Sequence, residues 1–181
     1  MTKDAAGLAA QSLSNSTELA RATLDNSNDL MKAASEISSR ISFIGVQIEK
    51  AKADAEKITD LEVKAEVAKN LEVEQDLFKR ASSRLEKLNA LLQRLKKEGE
   101  MLEAELSKKP EGKNREEQVM STMRLSLDLM KEIIACERDY LKASRELALV
   151  RFHVETLEDL IAGEITFKDA RRALKSRSHR Q

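Results

Sequence analysis

The sequence predicts an all-α protein: an elongated antiparallel helical bundle or coiled coil of about three long helices plus a short C-terminal helix. Three observations carry this expectation. Phe78, Ala81, Leu85, Leu88, Leu92, Leu95, Gly99, Leu102 and Leu106 recur at alternating steps of 3 and 4. That repeat puts one apolar seam on a helix and demands a neighbouring helix to cover it. The 181 residues include five Gly and one Pro, so few positions break a helix. Aromatic residues make up 3% and charged residues 35%, which leaves Leu, Ile and Ala to pack between charged faces.

Residues 1–28 are rich in Ala, Ser, Asn and Thr, and their periodic positions (Leu13, Ala20, Leu24) are sparse. They read as a weakly ordered or helical N-terminal segment. Asn26–Ser27–Asn28 offers caps for a fresh start at Asp29, because Asn and Ser side chains accept hydrogen bonds from first-turn amides. From Leu30 the pattern sharpens into Leu30, Ala34, Ile37, Ile41, Ile44, Ile48, Ala51, Ala55 and Ile58. This seam opens a long-helix bundle over residues 29–162.

Near Thr59 the register slips without a Gly or Pro. Either a turn at about 58–61 starts a new helix, or one helix runs on through a stutter. Thr59 followed by Glu62 fits a capping box and favours the turn. The second seam then runs from Val67 and Leu71 through Glu74 into the strict repeat. Pro110 and Gly112 mark a loop at 107–114, since proline cannot continue a helix and glycine admits a left-handed backbone.

A third helix is expected over about 115–162. Three seven-residue rows run along it: Ile133, Tyr140, Leu147, Val154 and Ile161; Leu129, Cys136, Ala143, Val150 and Leu157; and Met120, Leu127, Ile134, Leu141 and Ala148. Together they read as one wide apolar face in contact with two neighbours. Gly163 ends the helix. Thr166 caps a short last helix whose apolar face is Phe167, Ala170 and Leu174, and residues 163–181 form this helix with a basic tail. The long helices are expected to span roughly 30–48 residues each, or about 45–70 Å.

Lys and Arg number 32, matching Asp and Glu at 32. A formally neutral chain argues against a nucleic-acid-coating protein. Cys136 stands alone, so no intramolecular disulfide forms and no zinc pattern is present. No apolar run has the length of a membrane span or of a signal-peptide core. The chain is therefore expected to be cytoplasmic, or secreted without a cleavable signal peptide, with no transmembrane segment.

Catalytic signatures are missing too. His153 has Val150 and Leu149 at the positions where a helical metal site would place a second ligand. With Glu155 and Glu158 nearby, it reads as a histidine at the edge of the core. Cys136 lies among Glu132, Glu137 and Asp139, acidic neighbours that oppose a thiolate. Its first reading is a buried structural thiol. No glycine loop cradles phosphate and no nucleophilic serine turn occurs. The expectation is no enzyme, no cofactor and no metal.

Interaction is what remains. Ile37, Ile41, Ile44, Ile48, Leu85, Leu88, Leu92 and Leu95 are the candidate partner-binding residues, serving partner helices or a second copy in a homo-oligomer. Glu74 and Gly99 interrupt the second seam, either to set register or as tolerated defects. Met120, Met123 and Met130 read first as core filling and second as an adaptable partner surface. Arg171, Arg172, Lys175, Arg177 and Arg180 read first as a solvated C-terminal extension and second as a candidate surface for anionic membranes. The expected function is a non-enzymatic scaffolding or interaction protein that assembles through heptad seams. The alternative is a peripheral membrane-binding or membrane-remodelling protein, or a soluble subunit of a helical secretion or pore-forming system. In composition and periodicity the long helices broadly resemble coiled-coil translocator and secretion-apparatus domains, a likeness that assigns no role to any single residue.

Overall fold

Four helices follow one another: α1 (Thr2–Ala55), α2 (Leu61–Leu106), α3 (Arg115–Ala162) and α4 (Phe167–Ser178). The computed structural model describes residues 2–108 and 115–178, and no strand occurs among them. The expected breakers Pro110 and Gly112 lie outside the described residues. The three long helices pack as an antiparallel bundle.

The N-terminal third departs from expectation. α1 is one unbroken helix of 54 residues, and nothing restarts at Asp29. The buried positions explain why. Ser16, Ala20, Thr23, Ser27, Leu30, Ala34 and Ile37 are all buried, so the heptad seam extends two heptads upstream of Leu30. Small hydroxyl side chains can occupy such a seam because they satisfy themselves against their own helix. Ser16 Oγ donates to the Leu13 carbonyl at 2.9 Å, and Thr23 Oγ1 donates to that of Leu19 at 2.7 Å.

A turn separates α1 from α2, as the register slip implied. The Lys57 and Ile58 amides close α1 on the carbonyls of Asp54 and Ala55. The cap of α2 is Asp60, not Thr59. Asp60 Oδ1 accepts from the amides of Glu62 at 2.9 Å and Val63 at 3.1 Å. These are the second and third helical residues, the donors that a residue at the cap position reaches. Thr59 sits one residue too early. Lys64 then ties the turn together by donating to the Glu56 carbonyl and carboxylate.

At the other end of α3, Gly163 adopts φ 77°. Its amide donates to the Leu160 carbonyl, and that of Glu164 donates to Asp159. This pair of bonds ends a helix on a left-handed residue, where glycine carries no steric penalty. Thr166 caps α4 as expected, its hydroxyl accepting from the Asp169 amide at 3.2 Å.

The chain forms two compact units, Met1–Ser35 with Lys87–Asp139 and Glu36–Glu86 with Tyr140–Gln181. In the first, Leu88, Leu95, Leu102, Leu129 and Cys136 are fully buried beside the hydroxyls of Thr122 and Ser126. Gly99 is buried here, and a Cβ on it would lie 3.6 Å from Leu24, at ordinary contact distance. Gln118 Nε2 bridges α3 to the carbonyl of Glu105 in the last turn of α2 and to that of Lys108 just beyond it.

The second unit is packed by Ile48, Val67, Leu71, Val150, Val154 and Leu157, with Ala170 of α4 also buried. α1 and α2 run antiparallel: Glu56 meets Lys64, and further from the turn Gly45 faces Phe78. A Cβ on Gly45 would lie 3.2 Å from the Phe78 ring, so glycine permits this close approach. α2 and α3 are antiparallel as well, with Glu74 against His153 and Arg84 against Glu146. Buried carboxylates are otherwise scarce in helical seams, which makes the first of these pairs notable chemically.

One expectation about α3 fails. The row Leu129, Cys136, Ala143, Val150 and Leu157 is fully buried, and Ile133, Leu147 and Val154 lie beside it. The third row does not join them: Met120, Leu127, Ile134 and Leu141 are exposed. The helical angle explains the difference. Successive residues turn by about 100°, so Ile134 points well away from Ile133 and further still from Leu129. Two rows already cover the contact with α1 and α2, and the third faces outward.

Candidate interaction surface

The outward row of α3 is the clearest unspent feature of the first unit. Met120 is 69% exposed, Leu127 54% and Ile134 66%. Met123 stands exposed beside them, which overturns core filling for it and for Met120. One helical turn after each row member comes a cation: Arg124, Lys131 and Arg138, all exposed. Apolar and basic side chains thus alternate at steps of 4 and 3 along one face. Residues so spaced are surface neighbours on a helix.

Charge on this face is only partly neutralised. Lys131 Nζ donates to Asp128 Oδ1 at 2.8 Å. That hydrogen bond, more than the Coulombic pull of Lys131 and Arg124, holds the Asp128 carboxyl below its ordinary range. Arg124 and Arg138 make no ion pair among the described residues. A surface hollow runs along Met120, Met123, Arg124, Leu127, Asp128 and Lys131. All six belong to α3, so among the described residues no second helix walls the hollow. In the second unit the same sequence spacing continues at Leu141 and Arg145. There a separate groove lies between α1 and α3, floored by Ile37, Ile44 and Leu147 and bordered by Arg40, Phe43 and Arg151.

The residues expected to bind partners lie elsewhere. Leu85, Leu88, Leu95, Ile37, Ile44 and Ile48 are buried within the chain's own units, and Leu92 and Ile41 are half-buried. Their seams are occupied by the fold itself. Of the basic tail, Arg171 stacks over the Phe167 ring at 5.7 Å and approaches Glu66 at 4.0 Å. Arg172 and Lys175 are exposed. The side chains of Arg177 and Arg180 lie outside the described residues.

Glu74 and His153, separated by 79 residues in sequence, share a hydrogen bond of 2.6 Å from Nδ1 to Oε1. Both are almost fully buried, and Glu74 Oε2 and His153 Nε2 have no further partner among the described residues. The histidine is therefore a core residue facing α2, not an edge residue beside Glu155 and Glu158. Periodicity reveals each residue as an intruder in its seam but does not reveal the match between them. Cys136 is buried as expected. Burial, followed by the charges of Glu132 and Asp139, pushes its thiol up to about 11.

Among the described residues, no three His, Cys, Asp or Glu side chains come together in a group that could hold a metal ion. No described helix is long and apolar enough to cross a membrane. No family model, curated protein or solved structure matches this chain.

Proposed function

We propose that this chain is a non-enzymatic helical interaction protein that assembles with a partner helix through the outward seam of α3. The observation that carries this reading is the exposed row Met120, Leu127 and Ile134, in phase over two full heptads. Scattered exposed apolar residues need no explanation, but a contiguous apolar row on a folded surface marks a contact site. Heptad phase further suits a helix as the partner, because only a helix meets a row repeating every seven residues with its own matching ridges. Methionine at the start of the row adds adaptability to the contact.

A second copy of the chain is the other occupant to consider. Pairing this face with itself would set Arg124, Lys131 and Arg138 against their own copies, and like charges so placed repel. The charge pattern therefore favours a different protein.

Photo-crosslinking tests the proposal. A benzoylphenylalanine at Leu127 or Ile134 is expected to yield a discrete adduct in the source cells. The same probe at Glu72 or Lys97, both exposed on α2, is expected to yield none. Equal labelling at all four positions, or none at any, would sink the reading.

A further inference from the structure

We infer that the α3 face from Met120 to Arg138 receives an amphipathic helix whose apolar row is bordered by carboxylates. This rests on the interaction reading above and names the chemistry of the partner. Three observations within the first unit carry it. The cations Arg124, Lys131 and Arg138 follow the apolar residues Met120, Leu127 and Ile134 at a constant offset of four. In helix pairs, charges flanking an apolar seam decide which partner is accepted. A basic flank two heptads long selects an acidic one.

Second, the basic flank is largely unspent. Asp128 engages Lys131, while Arg124 and Arg138 have no ion pair among the described residues. Guanidinium groups offer paired donors that match a carboxylate. Third, among the described residues the hollow along Met120, Met123 and Leu127 is walled by α3 alone. An approaching helix would supply the missing wall, and its apolar side chains would cover the row.

A lipid surface fits these observations less well. Helices that lie in a membrane interface bury a broad apolar face, commonly with Trp, Phe or Leu. Here the apolar row is one residue wide over most of its length, with Met123 as its widening, and Asp128 and Glu137 border it.

The test uses the full chain and synthetic probes. The first is a 28-residue helical peptide with a Leu seam flanked by Glu, the second its Lys-flanked counterpart, and the third vesicles of phosphatidylglycerol and phosphatidylcholine. The Glu-flanked peptide is expected to bind, more weakly as salt is raised. The Lys-flanked peptide is expected to bind roughly tenfold more weakly or not at all, as three exposed charge pairs would dictate. Vesicles are expected not to float the protein.

Arg124→Glu/Arg138→Glu should reverse the peptide preference, while Arg124→Lys/Arg138→Lys should keep it. Both positions are exposed on a helix, and unaltered circular dichroism checks folding. Equal binding of both peptides, indifference to charge reversal, or flotation with vesicles without peptide binding would overturn the inference. A crosslinked adduct at Ile134 that survives charge reversal leaves the interaction reading standing and removes only the acidic partner. Loss of the Leu127 adduct in Ile134→Glu and of peptide binding in the same variant supports both.

Discussion

Glu74 and His153 show how a residue that looks like a defect in one helix becomes intelligible only beside another. A carboxylate in a leucine seam is costly when alone, because desolvation penalises it. An imidazole 2.6 Å away supplies the missing hydrogen bond. Removing one partner strands the other, at about 1–3 kcal/mol. Glu74→Leu alone is therefore expected to lower stability by that amount in urea unfolding. Glu74→Leu/His153→Leu should cost less than the two single changes summed, since it removes both polar groups. Strict additivity would show that the contact contributes nothing. Cys136 tests burial at the same scale. With its thiol held up to about 11, little thiolate exists at pH 8. Native protein should leave a thiol-specific disulfide reagent almost unreacted at that pH, and urea should release one equivalent of thiol per chain. Rapid reaction of the native protein would contradict its burial.

Helix ends and helix faces obey rules that can be read with different success. The α1–α2 turn was legible from the register slip, and the α3 terminus from Gly163. The choice of cap at the turn was not, because Thr59 and Asp60 are adjacent residues of similar capping chemistry. Only the backbone path decides which one faces the free amides of Glu62 and Val63. Asp60→Ala is expected to cost about 1 kcal/mol, whereas Thr59→Ala should stay within about 0.5 kcal/mol. The reverse order in thermal or chemical denaturation would restore threonine as the cap. The extension of α1 through Ser16, Thr23 and Ser27 was hidden for another reason. A seam read from apolar residues alone overlooks hydroxyls that bond back to their own helix. The outward position of Ile134 was hidden too, because three adjacent rows read as one apolar face until packing decides which of them a neighbour covers.

Across the molecule, balanced charge and closed seams set the terms of assembly. Neither unit leaves its main seams uncovered, because the rows of α1 and α2 are largely buried against the chain's own helices. The main seams are thus covered within each unit. The chain's unfolding midpoint is expected to be independent of protein concentration from about 1 to 100 µM, as mass action requires when unfolding releases no subunit. A midpoint that climbs with concentration, together with a dimer mass by light scattering, would instead place a second copy within the stable fold. Overall neutrality, with 32 residues of each sign, conceals the basic row of α3. The distribution of charge therefore carries more information about partners than the net value does.

The spacing of apolar residues by itself determined that this chain is helical, that three long helices pack on one another, and where two of the three junctions fall. These follow from local geometry: a seven-residue repeat has a single helical solution, and glycine or a register slip interrupts it. Tertiary packing alone decided that Glu74 answers His153, that Asp60 holds the α2 terminus, and that Leu85 and Ile44 serve the core while Met120 and Leu127 remain outside. Such outcomes depend on which faces meet across distant stretches of sequence, and a repeat that defines a face does not specify its neighbour.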